Sequence, residues 1–147
     1  MIPMDSMPRG IICAVVLLNA NNDALLQLRD EKPGLPASGL WVFPGGHIGP
    51  GEDIFDCAYR EFFEETDYKW GKINWLMAVK DQFTDTRPSL LHIFWDNDKV
   101  NQKYVCREGQ ALEFIPRSLA NKIKMPEYLI SIWDIVILAA KSKETYG

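Results

Sequence analysis

Three glutamates, Glu61, Glu64 and Glu65, lie three and four residues apart in a stretch of helical pattern. That spacing gathers their carboxylates on one helix surface. Like charges so placed cost roughly 0.2–0.5 kcal/mol per pair in an isolated helix, so a chain with no use for them would gain by replacing one. A hard divalent cation removes the repulsion. Magnesium takes oxygen ligands and is commonly held by one or two carboxylates together with substrate phosphates. Arg60 directly precedes the cluster and can fix a carboxylate by a bidentate hydrogen bond. Upstream, Gly45 and Gly46 carry no side chains, so their backbone groups can approach a metal or a phosphate closely. The plainer interpretation is a solvated acidic face behind a Pro-Gly-Gly turn; the glycines and the arginine beside the acids weigh against it.

These residues need a helix and a tight loop to position them. Asp53 can cap a helix from Ile54 to Thr66, with Asp56 as a weak capping-box partner. Ile54, Phe55, Ala58 and Phe62 then form the apolar stripe expected to face the core. Before the loop, residues 10–19 and 24–29 read as a strand hairpin around the turn Asn19-Ala20-Asn21-Asn22-Asp23. Residues 30–39 read as a Pro/Gly loop, and 40–43 as a short strand that stops at Pro44-Gly45-Gly46. Strands are expected at 72–82, 90–96 and near 111–115, a helical turn from Ser118, and a last helix opened by Pro126 and running to about Lys141. The mixed order predicts an α/β or α+β fold, a mixed β-sheet between helices.

The chain has 147 residues, which suits one domain, 1–147, with its own core. Its formal net charge of -4 argues against gripping a long nucleic-acid backbone, while a bound cation still permits a small phosphorylated ligand. Cys13, Cys57 and Cys106 are widely spaced and read as free thiols, which with the absence of a recognisable leader predicts a cytoplasmic protein. Residues 11–18 are apolar but short, and read as a buried strand rather than a signal segment. With only His47 and His92, a histidine-rich metal site is not expected.

The stretch from Phe43 to Tyr68 resembles the Nudix box of the Nudix hydrolase family. Gly46 is followed after five residues by Glu52, and after seven more by Arg60 and Glu61; Phe62 fills the bulky position, and Glu64 and Glu65 complete the acidic pair. Six of the seven named box residues match in register. The departure is Asp67 where the box has its final Gly, with Tyr68 after it. Asp tolerates the left-handed backbone of a helix end better than most residues, so the helix end rather than the chemistry is in question.

The resemblance implies a Nudix-like α/β/α sandwich, Mg2+ as cofactor with Mn2+ as a substitute, and hydrolysis of a pyrophosphate bond in a nucleoside diphosphate linked to another moiety, a nucleotide sugar or a nucleoside triphosphate. It implies that Glu61, Glu64 and Glu65 bind the metal and that one of them activates water, that Arg60 orients them, and that Glu52 supports the site. It further implies a metal ligand in the Gly45 carbonyl, close backbone approach of substrate at Gly46, and a later acid within Glu-Gly-Gln, matched by Glu108-Gly109-Gln110. Arg29 matches an arginine that contacts substrate in some members. Trp41 and Phe83 read as core residues, with base stacking as the alternative, and His47 as a surface loop residue. Pro126 stands near where some triphosphate-cleaning members carry a base-reading Asn.

Two other classes compete. One is a catalytically silent Nudix-fold sensor that binds nucleotides, against which the intact acidic set argues. The other is an interaction module using the last helix, where Ile130, Trp133, Ile137 and Leu138 spread around the axis. Such a helix either is buried in the core or forms an oligomer face, making a homodimer.

Overall fold

The computed structural model describes residues 10–70, 72–82, 89–98 and 101–146. Seven strands and two helices follow in the order β1 (Ile11–Leu18), β2 (Ala24–Leu28), β3 (Trp41–Val42), β4 (Gly45–His47), α1 (Ile54–Thr66), β5 (Asn74–Lys80), β6 (Leu90–Asn97), β7 (Ala111–Ile115), then a 3₁₀ turn (Arg117–Lys122) and α2 (Glu127–Tyr146). The main sheet order is β3-β2-β1-β6-β5, with β4 added to β1 and β7 to β2. β1 and β6 run parallel and the other pairs antiparallel. The predicted α+β sandwich with a mixed sheet is what forms.

β1 is apolar throughout because both of its faces are covered. Cys13, Val15 and Leu17 pack toward Cys57, Ala58 and Phe62 of α1. Ala14, Val16 and Leu18, on the opposite face, pack with Leu129, Trp133 and Val136 of α2. The period of two thus divides one strand between two cores. The turn after β1 is set by Asn19, whose Oδ1 accepts from the N–H groups of Asn21 and Asp23, both at 3.0 Å. Asn22 takes a left-handed φ of 64°, as Asn readily does.

Three expectations change. Pro44-Gly45-Gly46 reads as a break, yet Gly45–His47 is a strand. Its β propensity is poor, and pairing with Ile12, Cys13 and Ala14 of β1 imposes the extended form. Phe55 was expected in the buried stripe but is 40% exposed. One residue off the line of Ile54, Ala58 and Phe62, it rests edge-on against Phe94, ring centroids 5.0 Å apart, while Cys57 takes the buried place. The last helix runs to Tyr146 rather than Lys141 and is amphipathic rather than buried all round: Ile130, Ile132, Trp133 and Val136 are buried, Ile135 and Leu138 exposed. No helix among the described residues is long and apolar enough to cross a membrane.

Candidate active site

Helix α1 is held at both ends. Asp53 Oδ1 accepts from the Asp56 N–H at 2.9 Å, the expected N-cap. At the other end Asp67 takes φ 63°, and its N–H donates to the Phe63 carbonyl at 2.8 Å. Asp therefore adopts the left-handed cap that the box assigns to Gly. Burying Phe62 contributes roughly 1.5–3 kcal/mol, which outweighs the few tenths lost to each like-charge pair on the outer face.

Beside the helix, β4 lies so close that side chains do not fit. A Cβ on Gly45 would overlap the Cys13 carbonyl and sit 2.7 Å from Ala14 Cα; one on Gly46 would overlap the Glu61 carboxylate. Gly45 lets β4 lie against β1, and Gly46 lets α1 bring Glu61 over the strand.

Arg60 organises one group of these acids. Its Nε and one terminal nitrogen grip Glu52 in a fork, at 2.7 and 2.9 Å. The same terminal nitrogen donates to the His47 carbonyl at 3.1 Å, and the other to Glu61 at 2.8 Å and Glu64 at 3.3 Å. The guanidinium fork is thus fully engaged. Hydrogen bonding to Arg60, helped by the Gly49 N–H, holds the Glu52 carboxyl down to about 2.

Glu65 belongs to a second group. It is 5% exposed; its Oε2 accepts from the Gly45 N–H at 3.1 Å and from Gln27 Nε2 at 3.3 Å. Burial, and then hydrogen bonding with Glu108, push its carboxyl up to about 9. Gln27 also donates to the Glu108 carbonyl at 3.3 Å. The Glu108-Gly109-Gln110 segment is strapped down: the Gln110 N–H donates to the Leu28 carbonyl and its side chain to the Arg29 carbonyl, both at 2.8 Å. Gly109 has φ 83° and its missing Cβ would stand 2.5 Å from the Leu28 carbonyl, so glycine is required there.

These donors suit a hard cation. Glu65 is buried and faces a second acid, the exposed Glu108, and a raised carboxyl is what burial beside a like charge produces without compensating charge. Among the described residues no group of three His, Cys, Asp or Glu side chains is drawn together at metal-holding distance. Glu61 and Glu64 are engaged by Arg60, while Glu61 also lines the cleft with Glu65 and Glu108.

An open cleft of about 420 Å³ ties the second group to the rest of the molecule. Gly45, Gly46, Glu61, Glu65 and Glu108 line one end; Arg29 and His47 stand on its rim, with Ile12, Val42, Phe43, Leu91 and Leu129 as apolar wall. Glu52, Arg60 and Glu64 lie outside that lining. Arg29 Nε donates to the Pro36 carbonyl at 2.9 Å. Trp41 is partly buried against the core below α2, and Phe83 lies outside the described residues. Three lining or bracing residues escape sequence reasoning: Gln27, Asp81 and Tyr128. Only Gln27 left a signal, as the one polar residue in the apolar run Ala24–Leu28, since a buried amide needs partners.

The NUDIX domain family model matches residues 7–128, and the chain belongs to that family. Among curated relatives it is 32% identical over 77 residues to the m7GpppN-mRNA hydrolase NUDT17 of Xenopus laevis, a match covering 52% of this chain and 26% of that protein. It is 41% identical over 54 residues to a putative 8-oxo-dGTP diphosphatase of Bacillus subtilis, covering 37% and 32%. The chain therefore spans no more than about a third of either relative's length. Its fold is similar to that of the MutT protein from Methanosarcina mazei, with a TM-score of 0.76, 20% identity, and 91% and 96% of the two chains covered.

Proposed function

We propose that the cleft hydrolyses a pyrophosphate link in a nucleoside diphosphate joined to another moiety, a nucleotide sugar or a nucleoside triphosphate, and that it does so with Mg2+, or Mn2+ in its place. One observation carries the reading: Glu65, buried, faces the exposed Glu108 across a cleft that Glu61 also lines, beside a glycine, Gly46, whose missing side chain lets the Glu61 carboxylate lie over the strand.

Glu61, Glu65 and Glu108 would hold the cation, with Glu64 and the Gly45 carbonyl completing the family's set. When bound, the cation neutralises phosphate oxygens and makes water a stronger acid. The remaining work falls to the chain, and for phosphoryl transfer it is mainly positioning and charge. Gln27 holds Glu65 toward Glu108. Arg60 holds Glu61 and Glu64 by hydrogen bonds. Arg29 on the rim offers a cation for the outer phosphate. Glu61 or a neighbouring carboxylate takes the proton as water adds to phosphorus; the P–O–P bridge breaks, and each product leaves with one phosphate end. The buried thiols Cys13 and Cys57 fit a reducing, cytoplasmic setting.

The test is a panel of nucleoside triphosphates and nucleotide sugars, with and without Mg2+, followed by release of phosphate and nucleoside monophosphate. Release should require Mg2+ and fall by at least about a hundredfold in Glu61→Gln and in Glu65→Gln, each with unchanged circular dichroism. Near-wild-type turnover in both variants would overturn the assignment.

A further inference from the structure

The acids of α1 crowd one end of the cleft. Its lining also includes an acid that no metal role accounts for. Asp81 follows β5 and is 8% exposed. It lines the cleft together with Tyr128, from the first turn of α2, and the Tyr128 hydroxyl donates to Asp81 Oδ1 at 3.1 Å. β4, which carries Gly45, and β5 are separated by β1 and β6. Three strand spacings amount to roughly 14 Å, too far for Asp81 to share a cation with Glu65. The intervening wall is apolar, formed by Ile12, Leu91 and Leu129. A substrate whose phosphates lie against the acids would lay its remaining moiety along this wall and end at Asp81.

Asp81 accepts from Tyr128 through its side chain, which takes no part in the sheet ladder. Its backbone N–H already continues the ladder to the Ser89 carbonyl at 2.8 Å. Tethering α2 to β5 could be done by a neutral side chain without the desolvation cost of burying a carboxylate. An ionised carboxylate only accepts, and of its roughly four lone-pair sites the phenol takes one. What it recognises best is therefore two adjacent donors. Adenine and cytosine place an acceptor next to the amino group, and uracil offers one N–H flanked by carbonyls.

We infer that Asp81, steadied by Tyr128, reads the ring of the substrate, and that the ring carries an N–H directly beside an amino group, the edge shared by guanine, 8-oxoguanine and pterins. This rests on the pyrophosphohydrolase reading of the cleft and narrows its substrate class. Asp81 is the acceptor; Tyr128 is a positioning residue.

The experiment compares kcat/KM of the full-length chain for GTP, ITP and ATP with Mg2+, in wild type, Asp81→Asn and Tyr128→Phe. Wild type should favour GTP over ATP by about tenfold or more, with ITP, which lacks the amino group, between them. D81N should erase most of that ratio. Y128F should keep the order, because the acceptor survives. Among GTP, 8-oxo-GTP and a pterin triphosphate, the fastest identifies the source of the edge. Binding of GMP, IMP and AMP to wild-type protein without metal, by calorimetry, needs neither turnover nor a folded variant and should rank them in the same order. Equal affinity for the three, or a D81N defect that scales every substrate alike, would overturn the inference while Mg2+-dependent hydrolysis still stood. If nothing in the panel is hydrolysed, the pyrophosphohydrolase reading fails, and the GMP preference alone decides this one.

Discussion

Helix α1 contributes to two groups of carboxylates that differ in everything but residue type. Glu52, Glu61 and Glu64 surround Arg60, partly in solvent. Glu65 is buried against Glu108, with amide donors from Gly45 and Gln27 for company. Arg60 holds the Glu52 carboxyl down to about 2, whereas burial and a neighbouring acid raise that of Glu65 to about 9. The first group has a full positive charge within it: Arg60 pairs with all three acids, although one cation does not balance three carboxylates. The second is unfinished, because its partners offer dipoles but no full positive charge. A cation seated between the two groups would complete the second and draw on Glu61 at the edge of the first, so the metal site is best sought where Glu61 and the Glu65–Glu108 pair line the same cleft.

The sharpest way to break this comparison is to titrate Mg2+ against thermal stability. At a hundred times its Kd, a ligand that binds only the folded state adds about 2.7 kcal/mol. Wild type should show a rise of that order, and Glu65→Gln/Glu108→Gln should lose it while retaining its fold without metal. An undiminished Mg2+-dependent rise in the double variant would mean that the cation sits elsewhere.

A somewhat smaller effect is expected from Arg60→Lys, which tests the first group. An ammonium has three donors and no planar fork, so it cannot hold Glu52 in two bonds and also reach Glu61, Glu64 and the His47 carbonyl. Loss of such supporting contacts typically lowers activity about 10- to 100-fold. R60K should lower the melting temperature without metal but keep most of the Mg2+-dependent rise, the reverse of the double variant. Melting curves with and without Mg2+ separate the two; a lost rise with an unchanged baseline in R60K would merge the groups into one.

The same contrast explains what could be read from the sequence. Arg60, Glu61, Glu64 and Glu65 lie within six consecutive residues of one helix, and that helix was legible because local signals agree on it: Asp53 caps it, Phe62 anchors it and Asp67 closes it. Even so, the sequence puts Glu64 and Glu65 side by side without telling that one faces solvent and Arg60 while the other is buried. That distinction comes from Gln27 and Glu108, 38 and 43 residues away in opposite directions, brought in by β2 and the loop before β7. β4 was illegible for a related reason, since its extended form is imposed by β1 rather than by Gly-Gly-His. Asp81 and Tyr128 meet only because β5 and the start of α2 meet. Local chemistry was readable; chemistry assembled from distant segments was not.

The smallest effect belongs to a second arginine–carboxylate fork, which isolates what the geometry contributes without a network. Arg117 grips Asp134 through Nε at 2.6 Å and a terminal nitrogen at 2.9 Å, nearly the same fork that Arg60 makes with Glu52. Here the acid is half exposed and, among the described residues, no third charge joins the pair. Hydrogen bonding to Arg117 lowers the Asp134 carboxyl below its usual range. A depressed acid stabilises the fold above its unfolded value, about 3.9, and the contribution fades as pH falls through the lower folded value. Exposure and salt screening limit it to about 0.2–1 kcal/mol. Asp134→Asn should therefore shift the urea midpoint slightly at pH 7, less at high salt, and progressively less as the pH drops below about 4. A shift as large as that of R60K would mean that the fork alone, and not the three acids sharing Arg60, sets the strength of the first group.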